Sequence, residues 1–338
     1  MNHLIKTVLV VGLGSIGRRH VGIIRKLFPE INIVVLRHKQ CDKNDIDKLD
    51  LYKCVTSIDA AIATNPQAAI VANPASMHIE VAQKLAKNGI NLLIEKPISD
   101  SSKGIQELID TCHQNNCILM TAYNLRFLPS LIEFKKQLKA NKVGDIYSIR
   151  SETGQYLPSW RPDSNYKNDV SANKHLGGGV LLELSHEIDY LIWIFGPINW
   201  VKSHFSKQSK LEIDVEDTAK IILGFKNVDG SELITSLNMD FIRDDTTRKC
   251  FAIGEKGTLL WDGISGRVEY FEKGGKDWNT IFSSKTDRDF TYSEEIKSFF
   301  LSIESNKLPC ISGEDGMRVI SIVEAIKESS NTDSLVYL

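Results

Sequence analysis

The sequence predicts an α/β domain with a doubly wound parallel sheet, followed by an α+β domain built on an open, mostly antiparallel sheet. Three observations carry this reading. Short, almost wholly apolar runs alternate with helical segments through the first third of the chain, as for parallel strands buried on both faces. The first run passes into a glycine-rich turn and then a helix. Beyond about residue 123 the pattern becomes closely spaced β-type segments separated by turn residues. The boundary falls at 122/123, so the 338-residue chain is divided into domains over 1–122 and 123–338.

Taken in order, β-branched apolar runs place strands at 7–11, 31–36, 68–72, 90–94 and 117–121, with helices over 16–27, 78–87 and 103–114. Gly89 is placed to end the second helix, and Ser99 or Asp100 to cap the third. A polar stretch containing Pro and aromatic residues, 155–175, precedes one very apolar helix, 180–195. Strands follow at 200–205, 217–225, 232–239, 249–253, 258–262 and 267–271, with turns at 227–230, 254–257 and 263–266. Helices near 292–305 and 315–329 close the chain.

Composition sets the class. Hydrophobic residues at 42% and charged residues at 25% describe a globular chain, and a net charge of −2 offers nothing to nucleic acid or an anionic membrane. No apolar run approaches the roughly 20 residues of a bilayer span. The opening MNHLIKTVLVVGLG runs straight into its glycine turn without a cleavage site, so it reads as a first strand rather than a signal peptide. The six cysteines, Cys41, Cys54, Cys112, Cys117, Cys250 and Cys310, lack C-x-x-C spacing or a His cluster. They predict reduced thiols in a cytoplasmic protein, with neither a metal site nor a disulfide framework.

The turn Gly12-Leu13-Gly14-Ser15-Ile16-Gly17 is a G-x-G-x-x-G between a strand and a helix. Gly12 permits the tight turn, Gly14 the approach of a pyrophosphate, and Gly17 close helix–strand packing, with phosphate resting on the helix N-terminus beside Ser15 and Ile16. A carboxylate is expected near the end of the second strand for the ribose 2′-hydroxyl. That strand ends instead in Arg37-His38-Lys39, with no carboxylate until Asp42. A guanidinium there suits a 2′-phosphate, which leans the cofactor to NADP(H) over NAD(H); stacking on adenine or simple exposure is the other reading of Arg37.

Two further strands end in Asn73-Pro74 and Glu95-Lys96-Pro97. Ligands of open parallel sheets bind outside the carboxyl ends of strands, so both tips face the cofactor. Lys96 offers a positive charge where alkoxide character develops on a substrate oxygen. After Gly177-Gly178-Gly179, the helix 180–195 carries Glu183, His186, Glu187 and Tyr190 at spacings that form one stripe, with Asp189 nearby. Burying these groups is costly unless they pair or line a wet cavity. His186 becomes the candidate general acid/base, oriented by Glu183 or Asp189.

These motifs resemble the glucose–fructose oxidoreductase / inositol dehydrogenase (Gfo/Idh/MocA) family. The resemblance runs from the glycine turn through Asn73-Pro74 with His78, Glu95-Lys96-Pro97, Tyr123-Asn124-Leu125-Arg126-Phe127 and the block Gly177–Asp189 to Gly313-Glu314-Asp315-Gly316. It implies a Rossmann first domain, with His78 and Glu95 beside the cofactor and Tyr123 and Arg126 near the substrate. It implies proton transfer by Lys96 and His186 while hydride passes between nicotinamide and a sugar or polyol carbon. The family's usual Asp four residues before the His is absent; Glu183 stands three before it.

The stretch 155–175 supplies Tyr156, Trp160, Arg161 and Tyr166, with Lys167 and His175, as candidate contacts to substrate. Aromatic faces suit a sugar ring, and the cations suit a carboxylated or nucleotide-linked one; a loop packed on its own aromatics is the alternative. The stretch also resembles family members associated with bacterial surface-sugar biosynthesis. The expected function is NAD(P)-dependent oxidation of a ring hydroxyl or reduction of a ketosugar. A glycosidase using NAD for transient oxidation and a nonenzymatic cofactor-binding sensor are the competing readings. The second domain's sheet is expected to pair two copies into a homodimer or homotetramer.

Overall fold

Thr7–Val11 (β1), Asn32–Leu36 (β2), Lys53–Val55 (β3), Ala68–Val71 (β4), Asn91–Glu95 (β5) and Leu119–Ala122 (β6) form one sheet in the order β3-β2-β1-β4-β5-β6. Every pairing in it is parallel. All residues of β1, β4 and β6 are buried, which is why their sequences carry no polar alternation. This is a computed structural model describing residues 4–162, 165–226 and 230–338.

Helices Ser15–Leu27 (α1), Lys43–Leu49 (α2), Ile58–Ile62 (α3), His78–Ala86 (α4) and Ile105–Gln114 (α5) connect the strands. On α1 the buried set Gly17, His20, Val21 and Ile24 repeats at helical spacing, and Arg25 and Lys26 complement the dipole at its end. Gly89 closes α4 as expected, at φ +73° with its N–H on the carbonyl of Ala86. The cap of α5 differs from expectation. Gly104, at φ +80°, takes the N-cap place, and Ser99 instead accepts the N–H of Ser101.

The chain returns to this first unit over residues 289–320, so the unit comprises 4–124 with 289–320 rather than ending at the expected single cut. The return is held by apolar burial and by β6. Phe300 lies 4.9 Å from Phe28 between ring centroids, and Thr121 donates its N–H to the carbonyl of Ile311. Gly313 and Gly316 sit where an added Cβ would come within 2.4 Å of Leu119 Cδ2 and 2.5 Å of Thr121 Oγ1. The Gly-Glu-Asp-Gly motif is thus explained by packing.

The second unit, 125–288 with 321–338, holds a nine-stranded sheet. Its strands are Ile146–Gly154 (β7), Ile198–Ser206 (β8), Thr218–Lys226 (β9), Glu232–Asp240 (β10), Thr247–Gly254 (β11), Gly257–Asp262 (β12), Arg267–Glu272 (β13), Asn279–Ser283 (β14) and Val336–Tyr337 (β15). All pairs are antiparallel except β7 with β10. β7, β14 and β15 have no counterpart in the sequence reading. The expected turn at 227–230 includes 227–229, outside the described residues. Alternation is plain on β10, where Leu233, Thr235, Leu237 and Met239 point inward.

Helix Pro129–Lys139 (α6), begun by Pro129, donates no cap but presents Ser130, whose hydroxyl accepts the indole N–H of fully buried Trp261 at 3.0 Å. The helix expected over 180–195 is two: Val180–Glu183 (α7) and His186–Phe195 (α8), interrupted at Leu184–Ser185. Apolar continuity hid the break, because both segments pack their aliphatic residues inward. Among the described residues, no helix is long and apolar enough to cross a membrane.

One expectation about cysteine is overturned. Cys41 and Cys54 are joined in a disulfide. They stand 13 apart in sequence, yet the β2–α2–β3 connection brings their Cα atoms to 6.0 Å, which sequence spacing does not encode. Cys112 and Cys117 remain free and buried, and burial pushes their thiols up to about 12 and about 11.

Candidate active site

On the first unit, β1, β4 and β5 are adjacent and parallel, so Gly12, Asn73 and Lys96 follow their carboxyl ends along one edge of the sheet. Gly12 adopts φ +91°, and an added Cβ would lie 2.9 Å from the carbonyl oxygen of Ala72. At Gly17 a Cβ would fall 2.1 Å from the carbonyl oxygen of Gly12. Those two glycines are required by the protein itself. Gly14 is different: nothing lies within 4 Å of its added Cβ. It is the N-cap of α1, no side chain caps that end, and no acidic residue occupies the first turn. The open space above Gly14, with the amides of Ser15 and Ile16 behind it, fits a pyrophosphate.

The neighbouring tips add polar atoms aimed at the same edge. Asn73 Oδ1 is buried without a hydrogen-bond partner. His78, expected beside the cofactor, is itself buried and bonds backbone, with Nε2 2.8 Å from the Asn73 carbonyl and Nδ1 3.0 Å from that of Pro97. Burial pushes its pKa down, favouring a neutral ring that donates to one of these carbonyls at a time. Pro74 continues the turn into a short 3-10 segment, Ala75–Met77.

Glu95 is almost fully buried, with Oε1 2.6 Å from Nε2 of buried His20 and Oε2 accepting the backbone N–H of Lys96 at 3.2 Å. Lys96 is half-buried and joined to Pro97 by a cis peptide. Glu95 therefore holds the lysine's backbone from within the unit. Sequence reasoning missed His20; its place three residues after Gly17 on the buried stripe of α1 was the available signal.

A second acid lies beside this pair. Glu295 is fully buried on helix Phe290–Ser305, and neither carboxyl oxygen has a hydrogen-bond partner among the described residues. Burial, followed by the charge of Glu95, raises its pKa well above the ordinary carboxylate range. Tyr292 is likewise pushed up to about 12, chiefly by burial. The folded chain keeps a proton on Glu295 that the unfolded chain releases above its usual range, so this contribution is full at low pH and lost as pH rises through the raised value. A Glu295→Gln variant should show a shallower fall in urea midpoint between about pH 5 and about pH 8 than the parent. Equal slopes would count against a retained proton.

At the tip of β2 the missing carboxylate appears from elsewhere. Asp45, on α2, receives a two-pronged ion pair from Arg18, at 2.7 and 2.9 Å, and lies 3.4 Å from Arg37 Nη1. The hydrogen bonds from Arg18 hold the Asp45 pKa below the usual range. Asp42 caps α2 by accepting the N–H of Asp45.

On the second unit, Gly178 and Gly179 are forced by packing. An added Cβ would lie 2.2 Å from the Val170 carbonyl oxygen at Gly178, and 2.4 Å from Glu216 Oε1 at Gly179, where φ is +108°. Glu216 reaches past Gly179 to accept the N–H of Leu181 at the start of α7. The expected polar stripe separates into two kinds of group. Glu187, Asp189 and Tyr190 are fully buried, bonded to Arg248 at 2.9 Å, Arg126 at 2.6 and 3.0 Å, and Ser151 at 2.6 Å. Burial dominates Glu187, raising its pKa despite Arg248. Glu183 and His186 are half-buried, at the end of α7 and the start of α8.

The remaining expected substrate residues divide similarly. Tyr123 is fully buried, and Arg126 is buried on Asp189. In 155–175, Arg161 pairs with Asp169, Trp160 donates to the Gln155 carbonyl, and the Tyr166 hydroxyl accepts the N–H of Glu212. Tyr156 is half-buried before a single 3-10 turn.

Comparison with known proteins agrees with the two kinds of fold. Residues 6–123 match a family model described as an oxidoreductase family NAD-binding Rossmann fold, and 135–338 one described as its C-terminal alpha/beta domain. A myo-inositol 2-dehydrogenase of Thermotoga maritima is 24% identical over 332 residues, spanning 95% of both chains. A levoglucosan dehydrogenase solved with NADH superposes at TM-score 0.84, with 18% identity and 98% of each chain covered. The WlbA dehydrogenase from Bordetella pertussis, solved with NADH and UDP-GlcNAcA, superposes at 0.80, with 19% identity over 99% of this chain and 98% of that one.

Proposed function

The chain belongs to the Gfo/Idh/MocA oxidoreductase family, and from that premise we propose that it oxidises a ring hydroxyl, or reduces the matching ketone, of a sugar acid or nucleotide-linked sugar. The observation that carries the reading is the half-buried Lys96 held by the buried Glu95–His20 pair, on the same sheet edge as the open turn at Gly14. When bound, the nicotinamide dinucleotide supplies the hydride acceptor or donor. Gly12–Gly17 and the start of α1 hold its pyrophosphate, with Asn73 beside them. Arg37 and Arg18 are the donors that a 2′-phosphate of NADP(H) would use, and both face Asp45.

Lys96 places an ammonium against the substrate oxygen and stabilises the charge that builds there as its proton leaves or returns. On the second unit, His186 is the residue proposed for proton transfer, with Glu183 as its assisting carboxylate. Asp189 is held by Arg126, so its part is to fix α8. The similarity to inositol and levoglucosan dehydrogenases and to a dehydrogenase solved with UDP-GlcNAcA supports a polyhydroxylated ring as substrate. A panel of inositols, free sugars, sugar acids and nucleotide sugars, followed by nicotinamide absorbance with both cofactors, tests this. Turnover of a sugar acid or nucleotide sugar is expected; turnover confined to neutral polyols would overturn the substrate class.

A further inference from the structure

We propose that Asp45 is the residue that sets the chain's preference between phosphorylated and unphosphorylated dinucleotides, by standing in for the 2′-phosphate between Arg18 and Arg37. The inference rests on the reading that a dinucleotide lies over the glycine turn. The position follows from backbone geometry: Gly12 donates its N–H to the carbonyl of Leu36, the last residue of β2, at 2.8 Å. Arg37 is the next residue, and Arg18 directly follows Gly17. In this fold class the adenine ribose sits beside that junction.

The charges decide what the junction prefers. Asp45 engages both terminal guanidinium nitrogens of Arg18 and faces Arg37 across 3.4 Å. The trio carries one net positive charge, where two arginines alone would carry two. A 2′-phosphate, with a charge of roughly −1.5 to −2, must take the guanidinium donors from a carboxylate that also repels it. The ribose hydroxyl of the unphosphorylated cofactor faces no such competition, and the carboxylate can accept from it. Asp45 therefore holds NADP(H) affinity down without weakening NAD(H).

The surroundings make the trio a separable element. The backbone of Arg37 is pinned by its N–H on the Val55 carbonyl, and the disulfide Cys41–Cys54 ties the following loop to β3. Asp42, not Asp45, caps α2. Asp45→Asn therefore removes a charge while leaving the loop anchored.

Binding of NADH and NADPH to the full chain, by titration calorimetry without substrate, tests the proposal. Asp45→Asn should tighten NADPH by about tenfold, the order of one poorly screened charge contact, with NADH within about twofold. The gain should shrink as salt rises. In Arg18→Ala/Asp45→Asn, much of the gain should vanish. An unchanged or lower NADPH:NADH affinity ratio in Asp45→Asn would overturn the assignment. Failure of the parent chain to bind either dinucleotide would instead overturn the reading on which it rests.

Discussion

Lys96→Met is expected to lower kcat by about a hundred- to ten-thousand-fold, the range carried by a positioned proton-transfer group. Methionine keeps the length and apolar stem of lysine, so the loss isolates the ammonium. The half-buried side chain stands one residue beyond Glu95, whose carboxylate is bound by His20 and by the Lys96 backbone N–H. NADH affinity should stay near the parent's while kcat falls, which separates loss of the ammonium from loss of the cofactor site. Steady-state kinetics on the turned-over substrate, paired with calorimetric cofactor binding, measures both; a variant with parent kcat would remove Lys96 from the mechanism.

The second large effect is on stability. Asp189→Ala should destabilise the second unit by about 3–5 kcal/mol, the usual result of breaking a buried ion pair from one side. Asp189 is fully buried and bonded to Nε and Nη2 of Arg126, which is itself buried. Truncation leaves a guanidinium in the interior with its fork unfilled. Arg126→Met with Asp189→Leu should cost much less than the sum of the single changes, since both charges go together. Urea denaturation of the four chains checks this. Additive losses would mean that the pair is not a unit.

The same pair shows where sequence reading stopped. Arg126 and Asp189 are 63 residues apart; Arg126 was attractive as a site residue through the family resemblance, and Asp189 because charge in an apolar helix demands explanation. The demand was genuine, and the answer was pairing within the unit. Glu187 with Arg248 repeats it. Strands β1, β4, β5 and β6 were legible because burial on both faces leaves an apolar run that polar positions cannot imitate. β7 was not, since its Arg150 and Glu152 break the apolar pattern although it lies inside the sheet. The motifs Gly12–Gly17 and Glu95–Pro97 were legible as positions on strand ends. Asp45, His20 and Glu295 reach that edge or its support through tertiary packing, and Glu295 does so from a segment that rejoins the first unit late in the chain.

The place of His78 has a mechanical consequence. Its single N–H bonds the carbonyl of Asn73 or that of Pro97, and the buried ring wedged between them sets the spacing of the loops after β4 and β5. Whatever Asn73 grips is carried at a set offset from Lys96, and a displacement of either loop is transmitted to the other through a rigid ring. The spacing between Asn73 and Lys96 is thereby built into the scaffold before any ligand arrives.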